Sequence, residues 1–219
     1  MSEAAQDRPL GGGAKRALDL AVALPLAAVL SPLMFALALW VRRDSSGPAI
    51  FRQERIGYAG RPFRLWKFRT MVVGAEQMGS GLRVEAGDDR ITRAGRFLRA
   101  TSLDELPQLV NVILGDMSLV GPRPTVAWQV ERYDATQRRR LLARPGVTGL
   151  AQVRGRNAIP WSRRIELDVE YVDRWSLRGD LAILARTAGV VLGAKGTYRG
   201  PDTGFDLPDR PGDEGATDA

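Results

Sequence analysis

The sequence predicts a mostly helical α+β fold, in which a membrane-inserted helix near the N-terminus precedes a compact domain with a small β-hairpin. Three observations carry this prediction: an apolar run at residues 17–41, two short strand-like segments around a glycine-containing loop, and several segments of helical period after residue 90. At 219 residues, 44% hydrophobic and 26% charged, the chain has the size and composition of one globular domain.

The apolar run is interrupted only by Asp19 and Ser31. As one helix it would be about 37 Å long, against about 30 Å for the hydrocarbon core of a bilayer. Ser31-Pro32 lies inside it, and proline removes a backbone donor and kinks a helix. Both ends carry a pair of basic residues, which favour the cytoplasmic side. A helix over residues 14–43 that enters the membrane, breaks and turns at Ser31 and Pro32, and leaves by the same face satisfies both observations, with the Ser31 hydroxyl as the nearest partner for the backbone group that proline frees.

Two other interpretations of the run stay open on these grounds. A helix that spans the membrane with a proline kink fits the residues equally well. A signal peptide fits less well, because the run is long for its apolar region and the flank after it is basic. In either membrane arrangement Asp19 is expected to pair with Lys15 or Arg16 near the interface.

The elements after the apolar run follow from periodicity and turn signals. Strands are predicted at 49–56 and 62–71, and alternation along the second places Lys67 and Arg69 on one face, where both would meet one anion. The predicted helix 101–115 has Pro107 inside it, so either its first turn is distorted or the helix starts nearer that proline. Predicted helices are 91–100, 101–115, 128–142, 161–175 and 177–193, and predicted extended segments are 117–120 and 147–153.

The chain contains no cysteine and no histidine. This excludes disulfides, thiolate and imidazole metal sites, cysteine nucleophiles and Ser-His-Asp triads. Any catalysis falls to carboxylates, Lys, Arg, Tyr, Ser or Thr, and a metal would be a hard ion held by oxygen, such as magnesium.

Charge is unevenly distributed along the chain. The formal net charge is +7, but residues 200–219 hold six acids and one arginine, which leaves +12 on residues 1–199. Such a basic body implies an anionic partner: nucleic acid, membrane phosphate or a phosphorylated substrate. Residues 1–13 and 200–219 contain few large apolar side chains and are expected to be disordered.

Asp104 and Glu105 are neighbouring acids in a stretch that is otherwise rich in arginine. They follow Ser102 at a predicted helix start, a pattern that matches a capping box, and from the residues alone this structural explanation is the stronger one. The functional explanation uses the same position. A helix start also binds phosphate, and a carboxylate whose pKa is lowered by neighbouring arginines can attack phosphorus.

Five segments, in order from Lys15 to about Leu192, make the chain similar to a known family. It resembles the small monotopic phosphoglycosyl transferases, the bacterial sugar transferases that start lipid-linked glycan assembly. The most specific part of the resemblance is DELPQL followed by GDMSLVGPRP. The segments are KRALDL with the apolar run and SP, GPAIFRQERIGYAGRPFRLWKFRTM, TRAGRFLRATSLDELPQLVNVILGDMSLVGPRP, RPGVTGLAQVRGRN, and LDVEYVDRWSLRGDLAIL.

The resemblance implies transfer of a sugar 1-phosphate from a UDP-sugar to undecaprenyl or another polyprenyl phosphate, with UMP as the second product. Asp104 matches the family's nucleophilic aspartate, which forms an aspartyl-phosphosugar intermediate, and Glu105 matches its partner. Both are implied ligands of Mg²⁺. Ser31 and Pro32 match the family's helix-breaking pair, which implies a re-entrant anchor followed by a catalytic domain at residues 44–199.

The same motifs imply contacts between basic side chains and the phosphates of the two substrates. The implied substrate-binding residues are Lys67, Arg69, Arg99, Arg123, Arg144 and Arg156. Sugar specificity is expected to depend on the loop 79–89 and on the segment after Arg156, with no single residue assigned.

The implied partners are a UDP-sugar, polyprenyl phosphate and membrane lipid, with no nucleic acid, and the sequence leaves a homodimer open. The implied location is the cytoplasmic face of the bacterial inner membrane, at the first membrane step of exopolysaccharide, capsule, O-antigen or glycoprotein glycan assembly. Two competing functions remain. A membrane-associated nucleic-acid binder would bind polynucleotides with strong salt dependence. A catalytically silent scaffold would support glycan production after Asp104→Asn.

Overall fold

The computed structural model describes residues 9–78, 88–155 and 159–192. Several sequence predictions concern residues that lie wholly or largely outside these ranges. They are the two segments expected to be disordered, the loop 79–89, and Arg156. The described helices are α1 (Gly12–Asp44), α2 (Arg93–Thr101), α3 (Gln108–Leu114), α4 (Ala127–Glu131), α5 (Leu150–Arg154), α6 (Trp161–Asp173) and α7 (Leu177–Leu192). The described strands are β1 (Ile50–Ile56), β2 (Pro62–Phe68), β3 (Ser118–Val120) and β4 (Gly146–Thr148).

The strands form two small sheets. β1 and β2 make the expected antiparallel hairpin, with Phe51 opposite Lys67. β3 and β4 pair in parallel, a contact between segments that the sequence predicted only as separate extended pieces. The α+β class with a helical majority is therefore confirmed.

The predicted helix 128–142 is divided in the structure. α4 ends at Glu131, and a 3₁₀ helix covers Gln137–Leu142. At this division the side chain of Asp134 accepts a hydrogen bond from the backbone N–H of Gln137 at 2.8 Å. The side chain of Gln137 accepts one from the backbone N–H of Asp134 at 3.1 Å. Such side-chain bonds to the backbone compete with a continuous helix. The predicted extended segment 147–153 likewise ends at β4 and continues as α5.

α1 is one uninterrupted helix of 33 residues that contains both Pro25 and Pro32. The expected break between two helical arms is absent at Ser31-Pro32. Pro32 cannot donate to the carbonyl of Ala28 four residues before it, and the Ser31 hydroxyl donates to that carbonyl instead, at 2.8 Å. The hydroxyl takes the role expected of it, and the helix continues through Pro32.

α1 packs against the rest of the chain at both of its ends. Near its start Ala23 joins the main core with residues of β2, α3, β3, α6 and α7. Near its end Leu37 and Val41 form a second cluster with β2 and α2. The buried Asp19 accepts from the Ser118 hydroxyl and the Leu119 backbone N–H, both at 2.9 Å.

The sequence predicted that Asp19 pairs with Lys15 or Arg16, but the structure shows neither pair. The ammonium group of Lys15 instead donates to Asp180 of α7 at 2.7 Å and to the Tyr171 hydroxyl at 3.0 Å. Arg16 also turns elsewhere, because it donates to backbone carbonyls at the end of α3. Sequence could not show this, since these partners lie roughly a hundred residues or more along the chain.

Among the described residues, α1 is the one helix whose length and composition would let it cross a membrane, a test that a signal sequence near an N-terminus also passes. The most apolar part of α1 has a mean hydropathy of 2.3, and only 11% of it is buried within the protein. Its exposed apolar side chains include Val29 and Phe35, which are 74% and 67% exposed. α1 therefore presents a broad apolar surface that the rest of the described chain does not cover.

Candidate active site

Asp104 and Glu105, called here the carboxylate pair, lie on a short 3₁₀ turn between α2 and α3. α2 ends because Ser102 adopts a left-handed conformation with φ of 59°, which costs a non-glycine residue about 1 kcal/mol or more. On either side of the pair, Leu103 and Leu106 pack against the second core cluster. Apolar burial thus holds a strained turn that carries two acids.

The structure does not form the predicted capping box. The Ser102 side chain caps no backbone N–H, and α3 starts only at Gln108, after Pro107, which is the later start that the sequence allowed for. Glu105 does not reach back to Ser102 either, because its carboxylate is engaged elsewhere. The predicted capping box is therefore wrong.

Glu105 is held by two cations from different parts of the chain. Its Oε1 accepts from Nζ of Lys67 on β2 at 3.2 Å and from Nη2 of Arg123, after β3, at 3.0 Å. Burial alone would raise the pKa of Glu105, but Lys67 and Arg123 outweigh it and lower the pKa to about 2. Glu105 is therefore an anion across the physiological range.

Asp104 has the opposite electrostatic setting. Burial raises the pKa of its carboxyl above the ordinary value, and the charge of Glu105 raises it further, while Lys67, Arg99 and Arg123 act to lower it. The expectation that arginines would leave this pKa lowered is wrong for Asp104, because burial and the adjacent carboxylate prevail. The result is a pair in which one acid is strongly ionised and its neighbour is more basic, hence a better nucleophile.

Arg99 completes the group of cations around the pair. Its Nε donates to the Thr70 hydroxyl at 2.8 Å. α2 comes this close to the end of β2 because Gly95 has no side chain: a Cβ there would lie 1.9 Å from the Thr70 carbonyl oxygen. The sequence analysis proposed Arg99 but missed Thr70. In the sequence, the signal for this close contact is Gly95 within the segment TRAGRF.

Arg123 is held in place by a buried group that sequence reasoning also missed. Arg140 donates to the Arg123 carbonyl at 2.8 Å and forms an ion pair with Asp168 at 2.5 Å. It donates as well to the Tyr133 hydroxyl, and both ionised side chains are only 2% exposed. Asp168 lies in one of the family-like segments, but nothing in the sequence paired it with Arg140.

Asn111 of α3 positions the strand that carries Lys67. Its fully buried side chain accepts from the backbone N–H of Trp66 at 3.0 Å and donates to the Arg64 carbonyl at 2.7 Å. These are the bonds that a neighbouring strand would make with the free edge of β2. α3 and β2 are thereby fixed to each other, and with them Glu105 and Lys67.

Arg69 lies outside this group. It is 5% exposed, and its guanidinium donates to backbone carbonyls after α1, including Ser46 at 2.5 Å and Pro48 at 2.8 Å. The prediction that it faces one anion together with Lys67 is wrong, because β2 ends at Phe68 and strand alternation stops there. Arg69 instead connects the end of α1 to the end of β2.

Arg144 has other charged neighbours than the carboxylate pair. Burial lowers its pKa, Arg16 lowers it further, and Asp19 and Tyr58 counteract this, so its charged neighbours are at the start of α1 and beside the hairpin turn. Arg156 lies outside the described residues. Of the six basic residues implied to bind substrate, the structure brings Lys67, Arg99 and Arg123 together.

The carboxylate pair provides part of a ligand set for magnesium. In the part of the chain that the structure describes, no group of three or more acids is arranged to hold a metal alone. Lys67 and Arg123 both contact Oε1 of Glu105, and within the described residues neither Oε2 nor the Asp104 carboxylate accepts a hydrogen bond. Two carboxylates with free oxygens suit Mg²⁺ when phosphate oxygens and water supply its other ligands.

Comparison with known proteins gives a consistent set of relatives. The family described as bacterial sugar transferase matches residues 11–194. The undecaprenyl-phosphate galactose phosphotransferase of Salmonella typhimurium is 45% identical over 198 residues, covering 84% of this chain and 41% of that protein. The UDP-glucose:undecaprenyl-phosphate glucose-1-phosphate transferase of Caulobacter vibrioides is 45% identical over 192 residues, covering 84% and 72%.

A third relative is similar over nearly its whole length. The exopolysaccharide production protein ExoY of Rhizobium meliloti is 39% identical over 205 residues, which cover 87% of this chain and 91% of ExoY. The chain therefore spans about two fifths of the galactose phosphotransferase, but most of the other two proteins.

Proposed function

Because the chain belongs to the bacterial sugar transferase family, we propose that it transfers a sugar 1-phosphate from a UDP-sugar to undecaprenyl or another polyprenyl phosphate and releases UMP. The names of two relatives specify galactose or glucose-1-phosphate transfer with undecaprenyl phosphate. The observation that carries the proposal is the gathering of Lys67, Arg99 and Arg123 around the carboxylate pair. It provides a nucleophile and the cations to bind a diphosphate in one place.

Asp104 is the nucleophile in this proposal. One oxygen of its carboxylate attacks the phosphorus that bears the sugar, and the bond from that phosphorus to the bridging oxygen breaks as UMP leaves with the electron pair. An oxygen of the lipid phosphate then attacks the same phosphorus, and Asp104 leaves as a carboxylate. Glu105 is less suited to attack, because two cations share its Oε1 and keep its pKa at about 2.

The other residues of the site bind and orient. Glu105 holds the side chains of Lys67 and Arg123 beside Asp104, and Arg99 approaches from the end of α2. Magnesium, held by Asp104 and Glu105 together with phosphate oxygens of the donor, would neutralise charge on the diphosphate and on the departing UMP. The glycan made from the product would be an exopolysaccharide or a related surface polymer, as the name of ExoY suggests.

The reaction is tested by measuring UMP. Purified protein, magnesium and polyprenyl phosphate are incubated with a panel of UDP-sugars, and we expect UMP from one or a few of them. With that donor but without lipid phosphate, a double displacement predicts a burst of no more than one UMP per protein, since the intermediate cannot turn over. Absence of UMP with every donor would contradict the proposed function, and continued UMP release without the lipid would contradict the double displacement.

The pH dependence of UMP release should be governed by Asp104 on its acid side. Asp104 must be ionised to attack, and burial raises its pKa while Lys67 lowers it. Replacing Lys67 with glutamine removes that favourable charge, so the acid limb of kcat/KM should move to higher pH by about one unit or more. Arg43→Gln, which removes an exposed charge elsewhere, should leave the limb in place. An unmoved limb in the Lys67 variant would contradict this role for Asp104.

We further propose that α1 enters and leaves the membrane on the cytoplasmic side. Both of its ends are bonded to the same domain: Lys15 to Asp180, and Asp44 to the backbone N–H of Ala94 at 2.8 Å. A helix that crossed the bilayer would place these two contacts on opposite sides of it. The uninterrupted helix is compatible with re-entry, since a proline can bend a helix without ending it, and Pro32 is where we place the bend.

Cysteine labelling tests this arrangement, and the absence of native cysteine removes background. Ala14→Cys and Ser46→Cys, at exposed positions flanking the apolar stretch, should both resist a membrane-impermeant maleimide in intact cells and react after the inner membrane is opened. Val29→Cys, in the middle of the lipid-facing surface, should stay protected in both. Labelling of only one flanking cysteine from outside would support a spanning helix instead.

A further inference from the structure

A groove lies between the last turns of α1 and the start of β1. It encloses about 550 Å³, and its walls include Phe35, Leu39 and Ile50. Phe35 and Leu39 are 67% and 37% exposed, so one wall is continuous with the apolar surface of α1. Two arginines, Arg42 and Arg52, complete the lining. The groove therefore has an apolar wall and a cationic rim. This combination is complementary to an amphiphile with an anionic head.

Neither arginine of the groove forms an ion pair with a carboxylate in the described part of the chain. The guanidinium of Arg52 lies 4.4 Å from the ring of Trp66, a cation–π contact that orients the side chain without neutralising it. Arg42 comes directly after the apolar run of α1, where the headgroups of a membrane that holds α1 would begin.

The register of the hairpin places Arg52 and Lys67 on opposite faces of the sheet. Ile50 and Arg52 are opposite Phe68 and Trp66, whereas Lys67 is opposite Phe51. Cross-strand partners share a face of the sheet, and successive residues alternate between faces. Arg52 and Lys67 therefore point to opposite sides of the hairpin, and Lys67 is the residue that contacts Glu105. The arginine rim is therefore a different set of cations from those that hold the carboxylate pair.

We propose that the groove binds an anionic phospholipid of the bacterial membrane, with its phosphate at Arg42 and Arg52 and an acyl chain along Phe35 and Leu39. This lipid is a resident ligand that is not consumed. The proposal needs α1 to contact the membrane, but it does not depend on the proposed reaction.

Native mass spectrometry of the full chain in detergent tests the proposal. Phosphatidylglycerol and phosphatidylcholine with identical acyl chains are titrated, and the protein should bind one phosphatidylglycerol in preference to phosphatidylcholine. The double variant Arg42→Gln/Arg52→Gln should lose about tenfold or more in affinity for phosphatidylglycerol. Arg43→Gln removes the same charge from the adjacent exposed position, which does not line the groove, and should bind as the unchanged protein does. Far-ultraviolet circular dichroism checks that each variant is folded.

Two results would overturn the proposal. One is equal binding of phosphatidylglycerol by the double variant and by Arg43→Gln. The other is a raised KM for polyprenyl phosphate in the double variant with phosphatidylglycerol binding unchanged, which would make the groove the acceptor site. Because binding is measured directly, a protein that binds phosphatidylglycerol as expected but releases no UMP would refute the proposed reaction and leave this inference standing.

Discussion

Replacement of Asp104 by asparagine should lower the rate of UMP release by about 10³-fold or more while the protein stays folded. The amide keeps the shape of the carboxyl group but is a poor nucleophile, and the leucines that hold the turn, Leu103 and Leu106, are unchanged. Intact-protein mass spectrometry of quenched turnovers should show the added mass of a sugar phosphate on the unchanged protein and none on Asp104→Asn. Near-normal UMP release by the variant would favour the silent scaffold.

Glu105→Gln is the matched comparison for this experiment. It removes the anion that holds Lys67 and Arg123 but leaves Asp104 able to attack, so the rate should fall while the covalent adduct still forms. The two variants therefore separate a nucleophile from a residue that positions its neighbours. An adduct that persists in Asp104→Asn and disappears in Glu105→Gln would reverse the assignment.

Replacement of Arg140 by leucine should be the most destabilising single change near the site. It leaves Asp168 buried without its cation, and it removes the donors to the Tyr133 hydroxyl and the Arg123 carbonyl. Breaking a buried ion pair on one side costs about 3–5 kcal/mol of unfolding free energy. Urea unfolding of the detergent-solubilised protein measures this loss, and UMP release should fall in parallel because the position of Arg123 depends on Arg140.

The double variant Arg140→Leu/Asp168→Leu is the control for this prediction. Removing both charges avoids an unpaired buried carboxylate, so much of the lost stability should return. The Arg123 carbonyl would still lack its donor, and UMP release should stay low. If the double variant is no more stable than Arg140→Leu, the ion pair is not the source of the loss.

Elements with strong periodicity could be predicted from the sequence. The hairpin, α2, α6 and α7 appear within a few residues of their expected bounds, because alternation or helical spacing of apolar residues determined them. The division between α4 and the following 3₁₀ helix could not be predicted. It depends on two reciprocal side-chain bonds between Asp134 and Gln137, which add no change to the hydrophobic pattern.

The candidate site divides in a similar way. The residues in dense family-like segments, Asp104 and Glu105 with Arg99 and Arg123, do lie together. Arg69 does not, because periodicity gives the face of a side chain within a strand but not where the strand ends.

The supporting residues of the site were not visible in the sequence pattern either. Arg140 is the last of three successive arginines, and only the 3₁₀ helix shows that it is buried while Arg138 and Arg139 are exposed. Asn111 is one of two polar residues in the short helix α3, and its two hydrogen bonds to β2 depend on tertiary structure alone. Sequence pattern therefore identified the charged groups of the site more readily than the residues that position them.

The bond between Lys15 and Asp180 has a consequence for synthesis of the chain. The two residues are 165 positions apart, so α1 leaves the ribosome long before its carboxylate partner is translated. During that interval the ammonium group of Lys15 must stay in water or among headgroups, since burying it unpaired would be costly. α1 therefore reaches its final position against the rest of the protein only once α7 has been made, so this packing is a late event in folding.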